Sequence, residues 1–213
     1  MTMERIEVLI HNAIAEEKTS HHLQQVLGQR LDQVARVVQL PENDAAQRLC
    51  EFVVRYISNV PAMLTDLRDA AQLTGLSHAV EPVIRIAAEF FTTPPQAINS
   101  EVGLAALMDE AYLAHRLLEE VNEACIHRIG QPLIPLDMAL SNVIIHTLIG
   151  EPFANDLDEL VEAAVERLLE QPQAYENPTF DSFMKRLGSS NLFQIGQRWS
   201  CLSSQMGFAS PLL

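Results

Sequence analysis

Apolar residues recur at helical spacing along most of this chain, and the pattern is broken at prolines, glycines and capping residues. Ile6, Leu9, Ile10, Ala13 and Ile14 share one face of a first helix. Ser20 can cap a second, which runs through Leu23, Val26, Leu27, Leu31, Val34 and Val38 until Pro41 stops it. A third begins at Glu42 or Asn43 and carries Ala46, Leu49, Phe52, Val53, Tyr56 and Ile57. Pro61 bends or breaks it before Met63, Leu64, Leu67 and Ala71, and Gly75 terminates it. Ser77 can cap the next, with Pro82 tolerated in its first turns and Val83, Ile86, Ala87, Phe90 and Phe91 as its buried stripe. Thr93, Pro94 and Pro95 end it.

From Asn99 or Ser100 to Ile129 the pattern predicts one long helix, irregular near Gly103, with Leu107, Ala111, Ala114, Leu118, Val121 and Cys125 facing inward. Gly130, Pro132 and Pro135 then make a rigid connection. Leu136 to Ile149 is apolar on nearly all sides, which predicts a centrally buried helix. Asn155 can cap a last clear helix in which Leu157, Leu160, Val161, Ala164, Val165, Leu168 and Leu169 alternate with acidic residues. Beyond Pro172 the chain is richer in Ser, Gln, Gly and Pro, with a short helix around Phe180 to Leu187.

These elements predict an all-α multi-helix bundle of about seven to nine helices, built on a central antiparallel hairpin of 100–129 and 136–149. Residues 1–170 form the acidic bundle, and 171–213 form an irregular C-terminal segment that docks on it or on a second subunit. That segment still holds Phe193, Ile195, Trp199, Leu202, Met206 and Phe208, too much apolar surface for a disordered tail. Phe193, Trp199, Met206 and Phe208 are therefore the candidate interface residues of a homodimer.

Composition sharpens this picture. The chain has 213 residues, 48% of them apolar, enough to bury a sizeable core. Its net charge of −14 is uneven: Glu176 and Asp181 against Lys185, Arg186 and Arg198 leave residues 171–213 at +1, and the bundle at −15. An acidic body argues against nucleic acid or an anionic membrane as the main partner, because both are bound through Lys and Arg. The three cysteines, Cys50, Cys125 and Cys201, are odd in number and widely spaced, which fits reduced thiols in the cytoplasm and no Cys-x-x-Cys site. No run approaches the about 18 apolar residues of a spanning segment.

Within 80–118, an apolar helix reading Ala87-Ala88-Glu89-Phe90-Phe91-Thr92-Thr93 runs into Pro94, then Ile98, then Asp109-Glu110 in Leu107-Met108-Asp109-Glu110-Ala111-Tyr112-Leu113. This stretch resembles the YkvA-like family of small bacterial helical proteins, which pairs an apolar helix and proline turn with a helix opened by paired acids. Gln96 stands where that family has an acidic residue, and Asn99-Ser100 replaces its Pro-Asp. The resemblance covers under a fifth of the chain; it implies a helical hairpin and assigns no catalytic residue.

Candidate chemistry lies on the two central segments. His115 and Glu119 are four apart with Asn122 three further on, and Asn142 and His146 repeat the four-residue spacing on the apolar helix. Imidazole and carboxylate are ligands for a divalent metal, so His115, Glu119 and His146, near Glu110 or Glu151, form a candidate site for a metal or small ligand. Helical di-iron proteins, however, use Glu-x-x-His, and the chain contains none. A structural polar network is the stronger reading, and no cofactor is predicted. His21-His22, His127 beside Cys125, and His11 with Glu16 are spaced so that their side chains point to different helix faces. Gly-x-Ser-x-Gly, Gly-x-Gly-x-x-Gly and Gly-x-x-x-x-Gly-Lys are all absent. The leading functional expectation is a non-enzymatic interaction or regulatory protein acting as a homo-oligomer, and the alternative is a helical protein with a buried metal or ligand site.

Overall fold

The computed structural model describes residues 3–41, 43–93, 102–169, 175–186 and 201–210. Among these residues the protein is an all-α bundle without a strand: α1 Met3–Ser20, α2 His22–Val34, α3 Ala45–Thr74, α4 Ser77–Thr92, α5 Gly103–Ile129, α6 Ala139–Ile149, α7 Phe153–Leu169, α8 Pro178–Arg186 and α9 Leu202–Gln205. No helix among the described residues is long and apolar enough to cross a membrane.

The centre of the bundle is α5, which packs against α1, α2, α3, α4, α6 and α7. Between Met108 and His115 it is buried on every side, Asp109 and Glu110 included. The sequence pattern made 100–129 and 136–149 a central pair, and of the two only α5 is enclosed. In the fold α6 packs on α5, α2 and α7 with Ile144, Ile145 and Leu148 buried, while Val143 is 45% exposed. Mean hydropathy reports how apolar a helix is, whereas position in the bundle depends on which helices surround it: α5 is flanked on all sides along residues 108–115.

The punctuation differs from expectation in instructive ways. Pro61 does not break α3, which runs through it, although it removes one backbone donor. Buried Ile57, Val60, Met63 and Leu64 hold the turns on either side. At the N-terminus of α2, Ser20 Oγ accepts from His22 N at 3.4 Å, and the Glu17 carboxylate accepts from Leu23 N (2.9 Å) and Gln24 N (3.1 Å). That helix ends at Val34, a turn before Val38, and Arg30 donates to the Leu148 carbonyl at the end of α6. Neither Ser77 nor Asn155 caps; Leu76 and Phe153 stand at those starts instead.

Gly75 does terminate α3, at φ +78°, and the glycine is needed twice over. A Cβ there would lie 2.6 Å from Asn177 Oδ1 and 2.7 Å from Thr179 Cβ, because α8 packs on this corner. Asn177 closes the joint, donating to the Gly75 carbonyl at 3.0 Å and accepting from Phe180 N at 2.9 Å. The described parts of 171–213 thus pack on the bundle of their own chain. Phe208 is buried with its ring 5.2 Å from that of Phe52, Met206 is buried nearby, and Gln39 N donates to the Ala209 carbonyl at 2.9 Å. Phe193 and Trp199 lie outside the described residues.

Candidate functional site

A network of charged and hydroxyl side chains is built on α5. Tyr112, Arg116, Glu119 and Glu120 follow one another at spacings of four, three and one, so they line one face of that helix. Opposite stand Asn142 and His146 of α6 and Asp158 of α7, and these with Tyr112, Arg116 and Glu119 border an open groove of about 400 Å³.

Arg116 organises the cluster. Its Nε donates to Asp158 Oδ1 at 2.8 Å, Nη2 to Glu120 Oε1 at 2.8 Å, and Nη1 to Glu119 Oε2. Burial would discourage its charge, but the bonded carboxylates of Asp158 and Glu119 win and hold the guanidinium protonated. Glu119 also accepts from Asn142 Nδ2 at 2.8 Å, and Asn142 Oδ1 accepts from the buried Tyr56 hydroxyl at 2.7 Å. Tyr112 donates to Asp158 at 2.9 Å. Burial first, then the neighbouring acids, push the Tyr112 phenol up, and burial does the same to Tyr56, so both remain hydrogen-bond donors. Burial also raises the Glu120 carboxyl, against the pull of Arg116.

His146 is half-buried rather than enclosed: Nε2 lies 3.1 Å from Asn155 Oδ1 and 3.7 Å from Asp158 Oδ2, and its ring meets Tyr112 edge-on. His115 goes elsewhere. Its Nε2 lies 2.8 Å from the Tyr56 carbonyl, an acceptor only, so Nε2 carries the proton; its ring sits 3.8 Å from that of Tyr56. Full burial lowers its pKa to about 4, and the ring is neutral at pH 7. Asn122 belongs to neither histidine: it clasps the α5–α6 connection, donating to the Ile134 carbonyl at 2.7 Å and accepting from Leu133 N and Ile134 N.

The fold therefore brings Glu119, Asn142 and His146 to one groove and sends His115 to α3. Among the described residues no group of three or more His, Cys, Asp or Glu side chains is placed to share a metal ion. Burial raises Cys50 to about 11 and Cys125 to about 12, so both stay thiols. What the cluster can do is fasten α5 to α6 and α7. Sequence reasoning missed Tyr56, Tyr112, Arg116 and Asp158. The four-residue step from Tyr112 to Arg116 was a usable signal, whereas Asp158 looked like one more solvated acid.

The second surface is apolar, a groove of about 590 Å³ between α4, α5 and α7. Ile86, Phe90, Leu113, Leu117, Leu160 and Leu168 line it, and Arg85 and Arg167 stand among its walls. Leu160, expected in the buried stripe of its helix, is 53% exposed here. A third hollow, of about 370 Å³, is walled by Glu120, Glu123, Glu162 and Glu166 with His127.

Searches against protein-family models, curated proteins and solved structures found no match to this chain.

Proposed function

We propose that this chain is a non-enzymatic interaction or regulatory protein that acts as a homo-oligomer, a dimer at its simplest, through the apolar groove between α4, α5 and α7. The observation behind this reading is the groove itself: a concave, almost wholly apolar surface that keeps Leu160 and Ile86 in contact with solvent. Isolated exposed leucines are ordinary, but a leucine standing at the edge of a leucine- and phenylalanine-lined hollow is a knob beside a hole. A two-fold interface needs both on one face, because each copy must supply what the other accepts.

The polar groove supports the reading from the other side. Its charged groups bind one another, which rigidifies the three helices that include two walls of the apolar groove. Three unpaired cysteines suit a reducing compartment, and we place the protein in the cytoplasm.

Sedimentation equilibrium of the full chain at micromolar concentration tests the proposal. The wild-type protein should sediment as a dimer, and Leu160→Glu, an exposed change that leaves the core intact, should sediment as a monomer with an unchanged circular-dichroism spectrum. A wild-type monomer across that range would refute it.

A further inference from the structure

The outer face of α7 carries a self-complementary pattern. Asp156, Leu160, Ala163 and Arg167 are spaced four, three and four, which at 3.6 residues per turn confines them to an arc of about 60°. All four are exposed, and the arc lies on the flank of α7 that borders the apolar groove, where Leu160, Ala163 and Arg167 are wall residues. Asp158 and Asn155, which engage α5 and α6, sit on the opposite flank. Among the described residues, neither Asp156 nor Arg167 forms an ion pair within the chain.

Building on the dimer reading above, we propose that two copies associate by packing α7 antiparallel against α7 across a two-fold axis that passes between Val161 and Glu162. That axis superimposes the pattern on itself. Asp156 meets the partner's Arg167, Leu160 meets the partner's Ala163, and the same two contacts recur in reverse. The alternation of four and three is the spacing that keeps such a seam facing its partner along two turns. Ala163 leaves room for the incoming leucine, which then covers the mouth of the groove beside it. A parallel in-register arrangement sets Asp156 against Asp156, and this antiparallel register pairs Asp156 with Arg167 at both ends of the seam. The lining of the groove beside this seam carries Arg85 and Arg167 and no acidic residue.

A charge exchange decides it. The full chain is measured by sedimentation equilibrium at low ionic strength in four forms: wild type, Asp156→Arg, Arg167→Asp, and the double variant carrying both. Each single variant sets like charges opposite each other twice per dimer and should raise the dimer dissociation constant tenfold or more; the double variant should restore it to within about threefold of wild type, because the pairs re-form with exchanged signs. Both positions are exposed, so circular dichroism should show all four equally folded. A dimer indifferent to the single changes, or a double variant as weak as the singles, overturns the antiparallel seam and leaves the groove interface standing. A monomeric wild type removes the dimer reading itself.

Discussion

Acidification from pH 7 to pH 5 should destabilise this protein through His115 by an amount that can be worked out from its surroundings. The imidazole is 1% exposed, sits against the ring of Tyr56 and is bonded through Nε2 to the Tyr56 carbonyl. Burial lowers its pKa from 6.5 to about 4 in the folded chain. The unfolded chain therefore binds the proton first as pH falls, so stability due to the neutral ring is intact above pH 6.5 and drains away between 6.5 and 4. The full gap corresponds to about 3 kcal/mol, of which about 2 kcal/mol is lost between pH 7 and pH 5. Urea unfolding at pH 7, 6 and 5 should be compared with His115→Phe, which keeps a ring against Tyr56 but cannot be protonated. The variant should start about 1 kcal/mol less stable at pH 7, having lost the bond to the carbonyl. It should then lose about 2 kcal/mol less than wild type on the way to pH 5. The comparison cancels the carboxylates, which titrate in both proteins. Parallel pH profiles would refute the argument, since they would mean that His115 takes up its proton equally in both states.

Two further outcomes follow from the Arg116 cluster and from the α8 joint. Arg116→Met should lower stability by about 3 kcal/mol in denaturant, because Glu119, Glu120 and Asp158 then face one another without a cation; a loss below about 1 kcal/mol would show that solvent already screens the cluster. Gly75→Ala should cost about 1–3 kcal/mol and expose 175–186 to proteolysis first, through the left-handed backbone and the 2.6 Å approach to Asn177; an unchanged melting temperature and cleavage pattern would argue that α8 does not rest on this corner.

Much of the helical architecture was legible because it depends on local quantities. The 3.6-residue recurrence of apolar groups marks α1, α3, α4 and α7 without reference to neighbours, and Gly75 is readable as a terminator since only glycine sits comfortably at its φ. The capping residues were less legible. Glu17 caps α2 from the preceding helix, and Asn155 is drawn into a contact with His146, because a polar side chain takes whichever partner the packed chain offers.

The candidate site divides along the same line. Glu119, Asn142 and His146 share a groove as their spacing suggested, but spacing fixes only the angle of a residue about its own helix. Whether His115 looks toward α6 or toward α3 depends on which helices flank α5, and it looks to Tyr56. Arg116 and Asp158, 42 residues apart in sequence, acquire meaning only when α7 folds back on α5.

By itself, the sequence determined the helical class, the acidic surface and the polar residues that needed partners, since each follows from local periodicity and composition. Tertiary structure alone decided that α5 is the enclosed member of the expected central pair, that Phe208 meets Phe52, and that Leu160 stands beside an apolar groove. Those outcomes depend on contacts between residues far apart in the chain, and such contacts are set by how whole helices fill space against one another.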